Sequence, residues 1–119
     1  MGISIKRIYE KPDAKDGTRI LVDRLWPRGL SKENAKFDVW LKGVAPSHEL
    51  RRWYGHDAEK WEAFRQQYFR ELDASREAVD ALLGYVEKGD VTLLYAAKDS
   101  ERNNAVALQA YLDGYRDQR

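Results

Sequence analysis

Apolar and polar positions change period several times along this chain. Ile3, Ile5 and their polar neighbours alternate, with a break in register near Arg7-Ile8, so Ile3 to Tyr9 predicts a strand. Glu10 to Gly17 holds Pro12, Asp13, Asp16 and Gly17, which is turn chemistry. Thr18 to Trp26 predicts a second strand. Its Ile20-Leu21-Val22 run suits burial on both faces, and Pro27 and Gly29 end it. Ser31 to Asn34 predicts a helical turn, and the alternation of Phe37, Val39 and Leu41 a short extended piece. Pro46-Ser47 opens a short helix through Leu50 and Trp53, with Trp53 inward and Gly55 as its stop. Asp57 then caps a helix with a stripe of Trp61, Phe64, Tyr68 and Leu72. Ser75 caps another, with Val79, Leu82, Leu83 and Val86 inward and Gly89 at its end. Val91 to Ala97 is the clearest strand: short, apolar and β-prone. After Lys98-Asp99-Ser100 comes a last helix with Ala105, Leu108, Leu112 and Tyr115 on one face.

Strands separated by helices imply an α/β domain, one small, mainly parallel sheet flanked by helices. At 119 residues the chain is long enough for one core, so residues 1–119 form a single domain. The eight-residue link from Glu10 to Gly17 is short for a parallel crossover between neighbours. The first two strands are therefore either antiparallel neighbours or separated in the sheet.

Composition narrows the chemistry. No cysteine means no disulfide, no thiolate nucleophile and no thiolate metal site. Two distant histidines give no ligand spacing, so no metal and no cofactor is expected. No signal peptide and no bilayer-length apolar run are visible, which leads to the expectation of a cytoplasmic protein without membrane contact. The 21 basic and 20 acidic residues leave a net charge of +1, which does not favour a general polyanion binder.

Candidate chemistry gathers at two strand ends. If the second strand and the Val91 strand are parallel, their C-terminal ends share the sheet edge where open α/β sheets bind ligands. That edge would bring Asp23, Arg24, Trp26 and Arg28 near Tyr95, Lys98, Asp99, Ser100, Arg102, Asn103 and Asn104. Arginines, a lysine and a helix N-terminus there suit an anion. Asp23, Asp99 and His56 are the candidate catalytic groups; Arg24, Trp26, Arg28, Tyr95, Lys98, Ser100, Asn103 and Asn104 are the candidate ligand-binding ones. Structural uses compete with each. Asp99 or Ser100 serves equally as a helix N-cap, Asp23 and Arg24 as an ion pair, and Asn103 or Asn104 as a partner of a loop carbonyl. The Trp53-Tyr54-Gly55-His56-Asp57 segment reads as an exposed turn that joins helices.

The run Leu21-Val22-Asp23-Arg24-Leu25-Trp26-Pro27-Arg28-Gly29-Leu30-Ser31-Lys32 resembles the signature of the YeaO-like family of small bacterial and archaeal proteins. So do Trp40-Leu41-Lys42, Ala45-Pro46-Ser47, Gly55-His56-Asp57, and Val91 to Asp99 with Asn103-Asn104-Ala105-Val106. The resemblance covers nearly the whole chain. It implies a compact α/β domain of unknown function and carries over no catalytic role. A larger related group carries Asp-Arg at one strand end, with Cys and His-Arg motifs after a later strand. Asp23-Arg24 corresponds to the first, but at Tyr95 to Asn104 the cysteine and histidine are absent.

Three function classes stay open. One is a site for a phosphate- or carboxylate-bearing small molecule, with or without turnover. The second is a module for a nucleotide or single-stranded nucleic acid, which the balanced charge disfavours. The third is a homo-oligomer built on the aromatic surplus of four Trp and seven Tyr.

Overall fold

The computed structural model describes residues 2–117. Four strands, β1 (Ile3–Arg7), β2 (Thr18–Leu21), β3 (Val39–Trp40) and β4 (Val91–Tyr95), form one sheet in the order β1-β4-β2-β3. Every pairing is parallel. The first two strands are thus separated, with β4 between them, which resolves the short Glu10–Gly17 link. The helices are α1 (His48–Tyr54), α2 (Trp61–Ala74), α3 (Arg76–Lys88) and α4 (Asn104–Asp117). No helix among the described residues is long and apolar enough to cross a membrane.

Alternation along the strands sorts two cores. Ile20 and Leu93, partners in register, face a cluster that takes Leu50 and Tyr54 from α1, and Phe64, Tyr68 and Leu72 from α2. The same cluster holds Val79, Leu82, Leu83 and Val86 from α3, and Ala105, Leu108 and Leu112 from α4. All four helices therefore pack against one face. The next register pair, Leu21 and Leu94, joins Ile8, with Leu30, Phe37 and Trp40 packed against them. These partners come from loops and β3, so loops cover the second face.

The strands are shorter than the pattern predicts, because side chains take over the hydrogen bonding at their ends. Pairing continues one residue past β2, where Val22 N–H donates to the Leu94 carbonyl at 3.1 Å. Next, the Asp23 carboxylate accepts the Ala96 N–H at 3.0 Å where a backbone carbonyl would continue the ladder. Beyond β4, the Arg7 guanidinium donates to the carbonyls of Ala97 at 2.9 Å and Ala96 at 3.0 Å. The predicted span from Thr18 to Trp26 thus ends at Leu21, and that from Val91 to Ala97 at Tyr95. The first strand stops at Arg7 instead of Tyr9.

Helix ends mostly follow the sequence signals. Ser47 Oγ accepts the Leu50 N–H and so caps α1, and Gly55 in the left-handed region closes it. Asp57 caps a short 3-10 turn, Ala58–Lys60, that leads into α2. Ser75 stands between α2 and α3 with no side-chain cap bond. Ser31 accepts from Asn34 and Ala35 in a turn that stays short of a helix. Trp53 corrects the expectation: it is 41% exposed, while Leu50 and Tyr54, one helical turn apart, are the buried pair. Tyr54, expected in an exposed turn, is core.

Candidate functional site

A cleft of about 730 Å³ opens at the C-terminal edge of the sheet. Each contributing strand delivers residues to it at or just past its C-terminal end: Arg7 at the end of β1 and Tyr9 beyond it, Asp23 to Arg28 after β2, Ala96 to Asp99 after β4. The start of α4 adds Asn103 and Asn104, and the α1 region adds Pro46, Arg51, Tyr54 and His56.

Asp23 organises its floor. One carboxylate oxygen accepts the Ala96 N–H, and the other accepts Asn104 Nδ2 at 3.0 Å. Asn104 Nδ2 also donates to the Val22 carbonyl at 3.1 Å, and Trp40 Nε1 donates to the Asp23 carbonyl at 2.6 Å. The residue thus joins the ends of β2 and β4, the start of α4 and the covering aromatic of β3. Burial pushes its carboxyl above the ordinary aspartate range, although these two donors and the Arg51 charge oppose the shift.

The start of α4 corrects the expected cap. Asn103 Oδ1 accepts the Val106 N–H at 2.9 Å, and its Nδ2 donates to the Asp99 carbonyl at 2.9 Å. Asp99 instead folds its own turn, with Oδ1 accepting from the N–H groups of Glu101 at 2.9 Å and Arg102 at 3.0 Å. Those bonds hold its carboxyl below the ordinary range. Both asparagines thus bind backbone carbonyls, the structural use that competed with ligand binding.

Two guanidinium groups in the cleft are anchored by carbonyls instead of carboxylates. Arg24 Nε donates to the Pro46 carbonyl at 3.0 Å and Nη2 to that of Ala45 at 3.2 Å, while Arg7 holds Ala96 and Ala97. Arg24 therefore forms no ion pair with Asp23. Among the described residues, Arg7, Arg24, Arg28, Arg51 and Lys98 are in no ion pair; Arg102 pairs with Asp99 at 3.6 Å. Six cations line the cleft against two carboxylates, a local excess of four. With a formal net charge of +1 for the chain, the remainder of the molecule carries a net −3.

Trp26 forms a wall. Its Nε1 donates to the Leu30 carbonyl at 2.7 Å, and its ring meets Phe37 and Trp40 edge-on at 5.8 and 5.7 Å. Gly29 supplies the positive φ of 81° for the turn from Pro27 to Leu30. Tyr9 Oη donates to the Arg28 carbonyl at 2.7 Å, and the Arg7 guanidinium stands 4.8 Å from the centre of its ring. His56 carries a φ of 60° next to the Gly55 cap, the one non-glycine residue with positive φ among those described.

Of the residues singled out from sequence, Asp23, Arg24, Trp26, Arg28, His56, Lys98, Asp99, Asn103 and Asn104 line this cleft. Tyr95 and Ser100 do not. Tyr95 is 4% exposed and faces the helical core, and Ser100 lies outside on an exposed turn. Arg102, expected at this edge, lines the cleft as well, whereas Arg7, Tyr9 and Arg51 are additions that the sequence reading does not place there. A parallel orientation for β1 is the signal that would have placed Arg7 and Tyr9. No group of three or more His, Cys, Asp or Glu among the described residues has the arrangement of a metal site.

The motifs that line the cleft can be matched to a family. The sequence model of the DUF488-N3i family, described as "Inactive DUF488-N3 subclade", matches residues 2–119. The chain belongs to this family. Protein YeaO of Escherichia coli (strain K12) is 40% identical over 112 residues, which are 94% of this chain and 97% of YeaO. Protein Rv3073c of Mycobacterium tuberculosis (strain ATCC 25618 / H37Rv) is 38% identical over 112 residues, 94% of each chain. The YeaO-like membership expected from the motifs is thereby shown. No solved structure matches.

Proposed function

We propose that the cleft binds a small anion, a phosphate- or carboxylate-bearing molecule, and holds it without turnover. The observation that carries this reading is the local excess of four positive charges, with two of the six cations, Arg7 and Arg24, fixed by backbone carbonyls instead of carboxylates. An anion entering would meet guanidinium donors already oriented, so little ordering opposes binding. The start of α4 adds the positive end of its dipole beside Asn104.

Binding without chemistry is supported from two sides. The family carries the description of an inactive subclade, and the chain has no cysteine to act as nucleophile. Asp23 has both oxygens engaged by structural donors, and Asp99 organises its own turn. His56 has no carboxylate hydrogen-bonded to its ring among the described residues to orient it as a base.

A thermal-shift titration at low salt with inorganic phosphate and ribose 5-phosphate tests the proposal. At a ligand concentration ~100 times the dissociation constant, stabilisation should reach about 2.7 kcal/mol. The double variant Arg28→Gln, Arg51→Gln removes two exposed cleft cations that anchor nothing, so it should fold and lose most of that gain. Equal stabilisation of wild type and variant, or none by either anion, would overturn the reading.

A further inference from the structure

We infer that the anion is a mononucleotide, with its phosphate among the arginines and its base against Trp26; this rests on the anion-binding reading above. Four large hydrophobic side chains are exposed among the described residues: Tyr9 at 40%, Leu25 at 51%, Trp26 at 37% and Trp53 at 41%. Three of them, Tyr9, Leu25 and Trp26, line the same cleft as the surplus cations. Apolar surface left exposed in one patch marks a binding place, whereas scattered residues need no explanation.

Trp26 is built as a platform. Its indole is pinned by the 2.7 Å bond to Leu30 and by edge contacts with Phe37 and Trp40, yet over a third of it stays exposed. A ring already immobilised loses little freedom when a second planar group stacks on it. Arg28 is two residues away on the same turn and lines the same cleft, so an apolar and a cationic group enter it from one segment. The volume agrees. About 730 Å³ lies in the range of clefts that enclose drug-sized ligands and leaves most of the space unfilled by a bare phosphate.

Charge distribution argues for a monomer and against a polymer. Single strands are tracked by a basic groove with successive stacking rings. Here the excess of cations over carboxylates belongs to one cleft, and the remainder of the molecule is net negative. A longer chain leaving the cleft would be repelled.

Isothermal titration calorimetry with inorganic phosphate, ribose 5-phosphate and adenosine 5′-monophosphate tests this. The nucleotide should bind about tenfold or more tightly than ribose 5-phosphate, the weight of one base on one ring. Trp26→Leu should bring that ratio to about one, because it weakens nucleotide binding more than ribose 5-phosphate binding. Leu25→Ser, at the most exposed of these positions, should narrow the ratio and serves if Trp26→Leu does not fold. Equal wild-type affinity for nucleotide and ribose 5-phosphate would overturn the inference and leave anion binding intact. No binding of any of the three would overturn both. An eight-residue oligonucleotide that binds more tightly than the monomer would overturn the mononucleotide assignment.

Discussion

Asp23 and Asp16 show how one residue type is used in opposite electrostatic senses. Asp23 is held by two donors, and its burial raises its carboxyl pKa. Its removal in Asp23→Ala would leave the Ala96 N–H and the Asn104 amide without that acceptor. We expect a loss of about 1–3 kcal/mol in urea unfolding, the usual cost of orphaned buried donors. Asp16 lies beneath the loop-covered face, bonded to Lys6 Nζ at 3.1 Å, to Arg19 and to the Asp13 N–H. Burial raises its carboxyl, but these partners outweigh it and the net shift is downward from 3.8. A lowered folded value means that Asp16 stabilises the fold fully above about pH 3.8 and loses that contribution as pH falls through its folded pKa. Asp16→Asn should therefore show a shallower loss of stability in acid than wild type, read from unfolding midpoints between about pH 5 and pH 2. His56, with its φ of 60°, is a third case. Replacement by glycine should leave the protein about 0.5–1 kcal/mol more stable, since it relieves the left-handed backbone. If that conformation serves to aim the imidazole into the cleft, the same variant should bind phosphate more weakly. A His56→Gly protein with unchanged phosphate affinity would separate the strained backbone from the site.

At the scale of elements, periodicity carried most of the fold, and failures fall where side chains replace backbone partners. The stripes of α2, α3 and α4 were legible because only one face of each is buried. The ends of β2 and β4 were not, because nothing in an apolar run says that Asp23 will accept from Ala96 or that Arg7 will hold Ala96 and Ala97. Trp53 was misplaced for a related reason. Leu50 to Trp53 and Leu50 to Tyr54 are both helical spacings, and tertiary contact with Phe64 selects Tyr54, whose ring stacks on it at 4.4 Å. Gly17 marks the entry to β2 with a φ of 64°, and a Cβ there would lie 2.1 Å from the Asp90 carbonyl oxygen. Because that neighbour is backbone, it cannot swing aside. Gly17→Ala should cost about 2–4 kcal/mol, the left-handed penalty plus overpacking, measured by chemical denaturation. A cost below about 0.5 kcal/mol, the range of an ordinary surface substitution, would show that this entry turn is not rigid.

For the whole molecule, parallel topology creates the site. With every strand pointing the same way, residues far apart in sequence, Arg7, Asp23 and Lys98, emerge at one edge. Pairing the second and fourth strands from sequence brings Asp23, Arg24, Trp26 and Arg28 to Lys98 and the asparagines; the pattern leaves the direction of β1 open and so does not place Arg7 and Tyr9. Net charge concealed the rest: +1 for the chain is the sum of a cationic cleft and an acidic remainder. Such segregation predicts that phosphate binding weakens several-fold as ionic strength rises from about 0.01 M to about 0.15 M, where the Debye length falls from about 30 Å to about 8 Å. The most direct measurement is a titration of inorganic phosphate into ¹⁵N-labelled protein at low salt, followed by amide NMR shifts. The account predicts saturable changes at Arg24 to Arg28, Ala96 to Asp99 and Asn103 to Val106, with none at Gly17 or Gly89 to Val91 on the opposite edge. Changes concentrated at that opposite edge, or none at the cleft, would contradict it.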